Sequence, residues 1–118
     1  MNKSTKHQAI LFFIFVFIAG CHNAPTPPSE IEGAHISVLH YEKYDCESIL
    51  DEIKFLEKRE IELVIAQEER IKESEDQQFW TEGIGMGDGI EASELHRVRG
   101  EIKAARRVYK KKECNIEE

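Results

Sequence analysis

Apolar residues are distributed along this chain in two ways, and each implies a different kind of segment. Near the start, Ala9 to Ile18 is an unbroken apolar run containing Phe12, Phe13, Phe15 and Phe17. From about Asp45 to Gln78 the apolar positions instead recur at three and four: Cys46, Ile49, Leu50, Ile53, Leu56, Leu63, Val64 and Ile71. That is the period of one face of an α-helix. No Gly or Pro interrupts it, and most of the intervening residues are strong helix formers. The spacing predicts one long helix over about 45–78, its stripe weakest near Glu60 and Gln67. Glu69 and Glu73 add a mildly repulsive like-charge pair four apart, so the helix needs a partner.

The partner follows the alternating glycines of Gly83 to Gly89, which end any helix. Asp88 reads as an N-cap, with Glu91 three residues on completing a capping box. Leu95, Val98, Ile102, Ala105 and Tyr109 then form a clean seam over about 89–112, with Gly100 and Ala104 four apart as a place for close helix approach. Lys110, Lys111 and Lys112 suit the negative end of the helix dipole. The expected fold is all-α: an antiparallel two-helix hairpin over 44–118, with a glycine-rich loop at 79–88.

Cys46 opens the first helix and Cys114 follows the second, so an antiparallel pair brings them together. In an exported chain such a pair oxidises, and a Cys46–Cys114 disulfide is expected. Trp80 lies midway between these cysteines, about ten residues before the second helix, so the first arm overshoots by roughly 15 Å. Residues 79–87 are expected to fold back, with Phe79, Trp80, Ile84 and Met86 capping the open end; the alternative is an exposed apolar tip.

Ahead of the hairpin, Pro25, Pro27 and Pro28 among Asn, Thr and Ser predict an irregular, disordered tether within 21–43. Residues 30–43 are left open between a short helix and an irregular segment lying on the body. The apolar run at 9–18 follows a polar start carrying Lys3 and Lys6, which is the layout of a cleaved signal peptide over 1–20. It is about half the length of a membrane span.

Composition narrows the chemistry. The formal net charge is −7 over 118 residues, and loss of Lys3 and Lys6 makes the remainder more acidic still, which argues against nucleic acid as a partner. Acidic residues dominate Glu42 to Asp76, whereas Arg97, Arg99, Lys103, Arg106, Arg107 and the lysine triplet make the second helix basic. Cross-helix ion pairing is the expected use; a basic strip meeting anionic lipid or an acidic partner is the alternative. The glycine run lacks a nucleotide-binding spacing, Asp88 alone is no calcium loop, and His35, His40 and His96 have no metal-ligand spacing. Ser37, Ser48, Ser74 and Ser93 lie in no nucleophile motif. No catalytic residue, cofactor or metal site is expected, and the chain reads as a non-enzyme.

The tetrad Ile18-Ala19-Gly20-Cys21 resembles the lipobox of bacterial lipoproteins at all four positions. The resemblance implies cleavage before Cys21, a diacylglyceryl group on its thiol and an acylated (typically palmitoylated) new amino terminus. The membrane then becomes a partner through that lipid. His22 stands where an inner-membrane retention aspartate would, so the resemblance implies an outer-membrane anchor with the body in the periplasm.

Phe79-Trp80, Gly87-Asp88-Gly89, Glu94-Leu95-His96-Arg97, Gly100-Glu101 and Lys112-Glu113-Cys114, with Tyr44-Asp45-Cys46 as an opening block, resemble a family of small proteobacterial lipoproteins without an established activity. The chain departs from that pattern at Thr81 and Glu82, which replace Pro and bulky apolar residues and argue against a membrane-dipping loop. The resemblance supports the hairpin and the bridge. The expectation is a non-enzymatic envelope lipoprotein with a protein partner. Alternatives are an accessory subunit of an envelope enzyme or transporter, or an exclusion or lysis lipoprotein of a mobile element; homo-oligomerisation through the seam stays open.

Overall fold

A computed structural model describes residues 23–80 and 85–114. The signal segment, Cys21 and Ile84 lie outside the described residues. Two helices dominate: α1 spans Cys46–Trp80 and α2 spans Ile90–Lys111. They pack as an antiparallel hairpin whose far ends are joined by a disulfide between Cys46 and Cys114, with Cα atoms 5.6 Å apart.

The start of α1 is capped by Asp45, whose Oδ1 accepts from the Ser48 N–H at 2.8 Å. The end of α2 turns sharply. Glu113 takes a left-handed conformation (φ 54°), its N–H bonds Lys110 O, and the Cys114 N–H reaches back to Tyr109 O. This is the double bond pattern of a Schellman motif, and it aims Cys114 at the first turn of α1.

On α1 the buried side chains are Ile49, Ile53, Leu56, Leu63, Gln67 and Ser74. Their spacing follows a seven-residue repeat. The series Ile49, Leu56 and Leu63 stays apolar, whereas the series Ile53, Glu60, Gln67 and Ser74 becomes polar towards the loop end. The whole predicted seam of α2 is buried, with Leu95, Val98, Ile102, Ala105 and Tyr109 all inside. Among the described residues four ion pairs cross the hairpin: Arg59–Glu94 (2.7 Å), Arg99–Glu60 (2.7 Å), Arg106–Glu57 (2.5 Å) and Arg70–Glu91 (3.7 Å). Each is partly exposed and contributes little alone, but together they set the register between an acidic and a basic helix.

The segment expected to be a tether does not hang free of the body from residue 23 on. Residues 23–44 are mostly irregular, with 3-10 turns at Pro28–Glu30 and Val38–His40, yet they run as a strap along α2 from the loop end to the disulfide end. Ile31 packs with Leu56, Leu95 and Ile102, and Tyr41 with Ile49, Ile53 and Val108. The strap thus completes a core that two helices alone leave open, which outweighs the preference of its prolines for a solvated chain.

Gly100 serves this strap and not a close approach of the two helices. Its bare Cα faces Ala34 O and Ile36, and opposite it a Cβ on Gly33 would lie 2.8 Å from the Arg99 carbonyl carbon. Ala34 N–H accordingly reaches His96 O at 2.7 Å. Two backbones meet here at a distance that side chains would prevent.

Candidate functional site

Polar contacts concentrate at the loop end, where strap, glycine segment and α1 converge. Thr26 donates twice to Asp88, from its N–H to Oδ1 and from Oγ1 to Oδ2, both at 2.6 Å. Gln67, fully buried, donates from Nε2 to Thr26 O and to Asp88 Oδ1, both at 2.9 Å. Asp88 is therefore a clasp on the strap and not the N-cap expected of it. Gly89 takes that position without a side-chain bond. Burial works against the ionised Asp88 carboxylate, but the bonds from Thr26 and Gln67 and the nearby Arg70 charge outweigh it and hold its pKa below the ordinary value.

The glycine segment folds back along the projecting end of α1, as the unequal helix lengths require. Arg70 Nε donates to Gly87 O at 2.8 Å, and the Met86 N–H donates to Ser74 Oγ at 3.0 Å. Gly87 has φ 65°, a conformation that favours glycine, and its N–H donates to Asn23 O at 2.9 Å. The expected capping by Phe79 and Trp80 is not realised. Both rings are 80% exposed and stack edge to face on each other, with centroids 5.3 Å apart. The fold-back is satisfied by backbone and polar groups, so the aromatic pair forms an exposed apolar tip.

Midway along the hairpin, Arg99 ties three elements together. Its Nε donates to Glu60 Oε1 at 2.7 Å, and its Nη1 donates to Pro28 O and Ile31 O at 2.5 Å. The polar interruptions of the α1 stripe, Glu60 and Gln67, are therefore the groups that hold the strap through Arg99 and directly.

At the opposite end a groove of about 600 Å³ opens beside the disulfide. Leu50, Ile53 and Tyr109 form its apolar floor, and Lys54, Glu57, Arg106 and Lys110 its charged rim. Lys103, Arg107 and Lys110 continue along the exposed side of α2 and pair with no carboxylate among the described residues. On α1, Phe55, Ile61 and Ile65 are exposed. The groove itself offers apolar area edged mainly by positive charge.

Of the residues singled out in the sequence, Cys46 and Cys114 are joined, whereas Cys21 lies outside the described residues. His35, His40 and His96 are exposed; His96 Nδ1 meets Glu32 O at 2.5 Å. Among the described residues no group of His, Cys, Asp or Glu is placed to hold a metal, and no helix is long and apolar enough to cross a membrane. Comparison with protein-family models, curated proteins and solved structures finds no match to this chain.

Proposed function

We propose that this chain is a lipoprotein of the bacterial cell envelope, held to a membrane by lipid on Cys21, whose helical body is a non-enzymatic interaction module. The observation that carries the anchor is the tetrad Ile18-Ala19-Gly20-Cys21 closing an apolar run. The Cys46–Cys114 bridge agrees with export, because such bonds persist in oxidising compartments. Several acyl chains hold a protein on a bilayer essentially permanently, at about 0.8 kcal/mol per buried methylene. By the absence of an aspartate after Cys21, the outer membrane is the proposed location, with the body in the periplasm.

The groove beside the disulfide, with its apolar floor and basic rim, supports a protein partner carrying an apolar segment and acidic flanks. An accessory role on a larger envelope assembly is the second reading, favoured by the row Lys103, Arg107 and Lys110, which pairs with no carboxylate among the described residues. Intact mass of the membrane-purified protein, before and after reduction and beside a Cys21→Ala variant, tests the anchor. Added acyl mass on a chain beginning at Cys21, and release of the variant from membranes, are the expected results. An unlipidated chain would sink the proposal. Photo-crosslinking from position 50 in cells tests the module, and a defined, stoichiometric neighbour is the result that favours the accessory role.

A further inference from the structure

The strap fixes where the lipid on Cys21 enters the fold, and that position bears on the exposed aromatic pair. Asn23 is held at the loop end by two bonds, its carbonyl accepting from the Gly87 N–H at 2.9 Å and its Nδ2 donating to Gly85 O at 3.4 Å. Gly85 in turn lies against α1: a Cβ there would sit 2.6 Å from Gln78 Nε2 and 3.0 Å from Ser74 Oγ. Asn23 therefore lies beside the last turns of α1, the turns that end in Phe79 and Trp80. Cys21 is two residues away, a span of at most roughly 7 Å.

We propose that the loop end of the body rests on the bilayer that holds the Cys21 lipid, with Phe79 and Trp80 inserted at the headgroup level. This deepens the proposed function and rests on the lipid at Cys21. A leash of two residues leaves the tip no distance from the surface, and 80% of each ring is otherwise open to water. Trp is the residue best suited to the membrane interface, where its ring is buried and its N–H stays wet. Thr81 and Glu82 directly follow Trp80, in keeping with a shallow contact at headgroup level and no deeper insertion. Glu73, Glu75 and Asp76 are exposed on the same last turns, against Lys72 alone, so the surface in contact is one of largely zwitterionic headgroups. The long axis of the hairpin then stands away from the membrane, and the groove beside the disulfide points into the aqueous compartment.

Trp80 is the sole tryptophan, so it reports without a label. Full-length lipidated protein is reconstituted in phosphatidylethanolamine–phosphatidylcholine vesicles, with and without brominated acyl chains. Expected are a blue-shifted emission, loss of most of it to the brominated lipid, and weaker quenching by acrylamide than in the lipid-free body. A flexible Gly-Ser segment of about ten residues between His22 and Asn23 should reverse all three. The proposal is overturned if Trp80 stays open to acrylamide on vesicles, if it is shielded without bromolipid quenching, as beneath a second copy, or if the insertion changes nothing. Flotation and intact mass on the same sample separate the two readings: an unacylated, non-floating protein removes the anchor, whereas an acylated, floating protein with unquenched Trp80 removes only the orientation.

Discussion

Replacing both bridge cysteines, Cys46→Ser with Cys114→Ser, probes how much of this body its core can hold. The bridge closes a loop with a sequence separation of 68. For that length the chain-entropy model gives about 4 kcal/mol of destabilisation of the unfolded ensemble. Domains of this size are stable by about 5–15 kcal/mol in total, so the loss is a large fraction. The bridge also joins the first turn of α1 to the end of α2 beside the buried Tyr41 and Tyr109. At about 4–8 °C per kcal/mol, the melting temperature should fall by roughly 15–30 °C. The assay is thermal and urea unfolding of the body lacking residues 1–21, followed by far-UV circular dichroism, for the oxidised parent and the double variant. A difference below about 1 kcal/mol at unchanged m would refute the reasoning, because it would mean that strap and seam suffice without the covalent link.

Other perturbations address the strap and its clasp. Gly100→Val sets two methyls against Ala34 O and should destabilise by about 2 kcal/mol, with faster amide exchange at Ala34; unchanged exchange there counts against the close contact. The Asp88 clasp predicts an acid dependence. Its folded pKa is depressed, so its contribution is fully present above the unfolded value of about 3.9 and is lost as pH falls through the folded value. The Thr26 amide resonance should follow that loss, and Asp88→Asn should flatten it; an equally steep acid response in the variant argues for another group. Glu113→Gly relieves a left-handed backbone at the end of α2 and should raise stability by about 1 kcal/mol, read by urea unfolding, whereas a loss would point to a contact of the Glu113 side chain. Tyr41, pushed up to about 12 first by burial and then by Glu101 and Glu52, should give a late step in an alkaline absorbance scan that Tyr41→Phe removes, and the stability it lends should vanish as pH rises through that value; a late step unchanged in the variant would contradict its buried place.

The helices, their seam and the bridge were legible because they depend on a periodicity that one window of sequence contains. Helix α2 illustrates this: every residue expected in its seam is buried. The strap was legible only as one of two open readings for 30–43, an irregular segment lying on the body, and not at all over 23–29, since its anchoring has no period. Pro28 and Ile31 are held by their carbonyls through Arg99, and Thr26 by Gln67, contacts that join positions some 40 to 70 apart. A trace of it was present in the weak points of the α1 stripe. A Glu and a Gln at core positions of a heptad require buried partners, and a lone second helix carrying mostly apolar residues opposite them supplies too few. Asp88 was misread for a related reason: its capping-box spacing is local, whereas Thr26 and Gln67 come from far along the chain and win its carboxylate by offering three donors. Phe79 and Trp80 were expected to cap the open end, with an exposed apolar tip as the alternative; the alternative holds, because the main chain of Met86 and Gly87 itself meets Ser74 and Arg70.

The strap lies outside the covalent ring closed by the disulfide, and this gives it a mechanical role under the proposed anchoring. Tension between an anchored Cys21 and a partner seated near the disulfide would act along the strap's own length, so Thr26, Arg99 and the Ala34–His96 bond would share the load together instead of opening one after another. Once they yield, residues 23–44 pay out to roughly 75 Å at full extension, while the bridge keeps the two helices covalently joined. The body would thus carry its own reserve of line: short and oriented at rest, long under pull, and able to rewind when the load is gone.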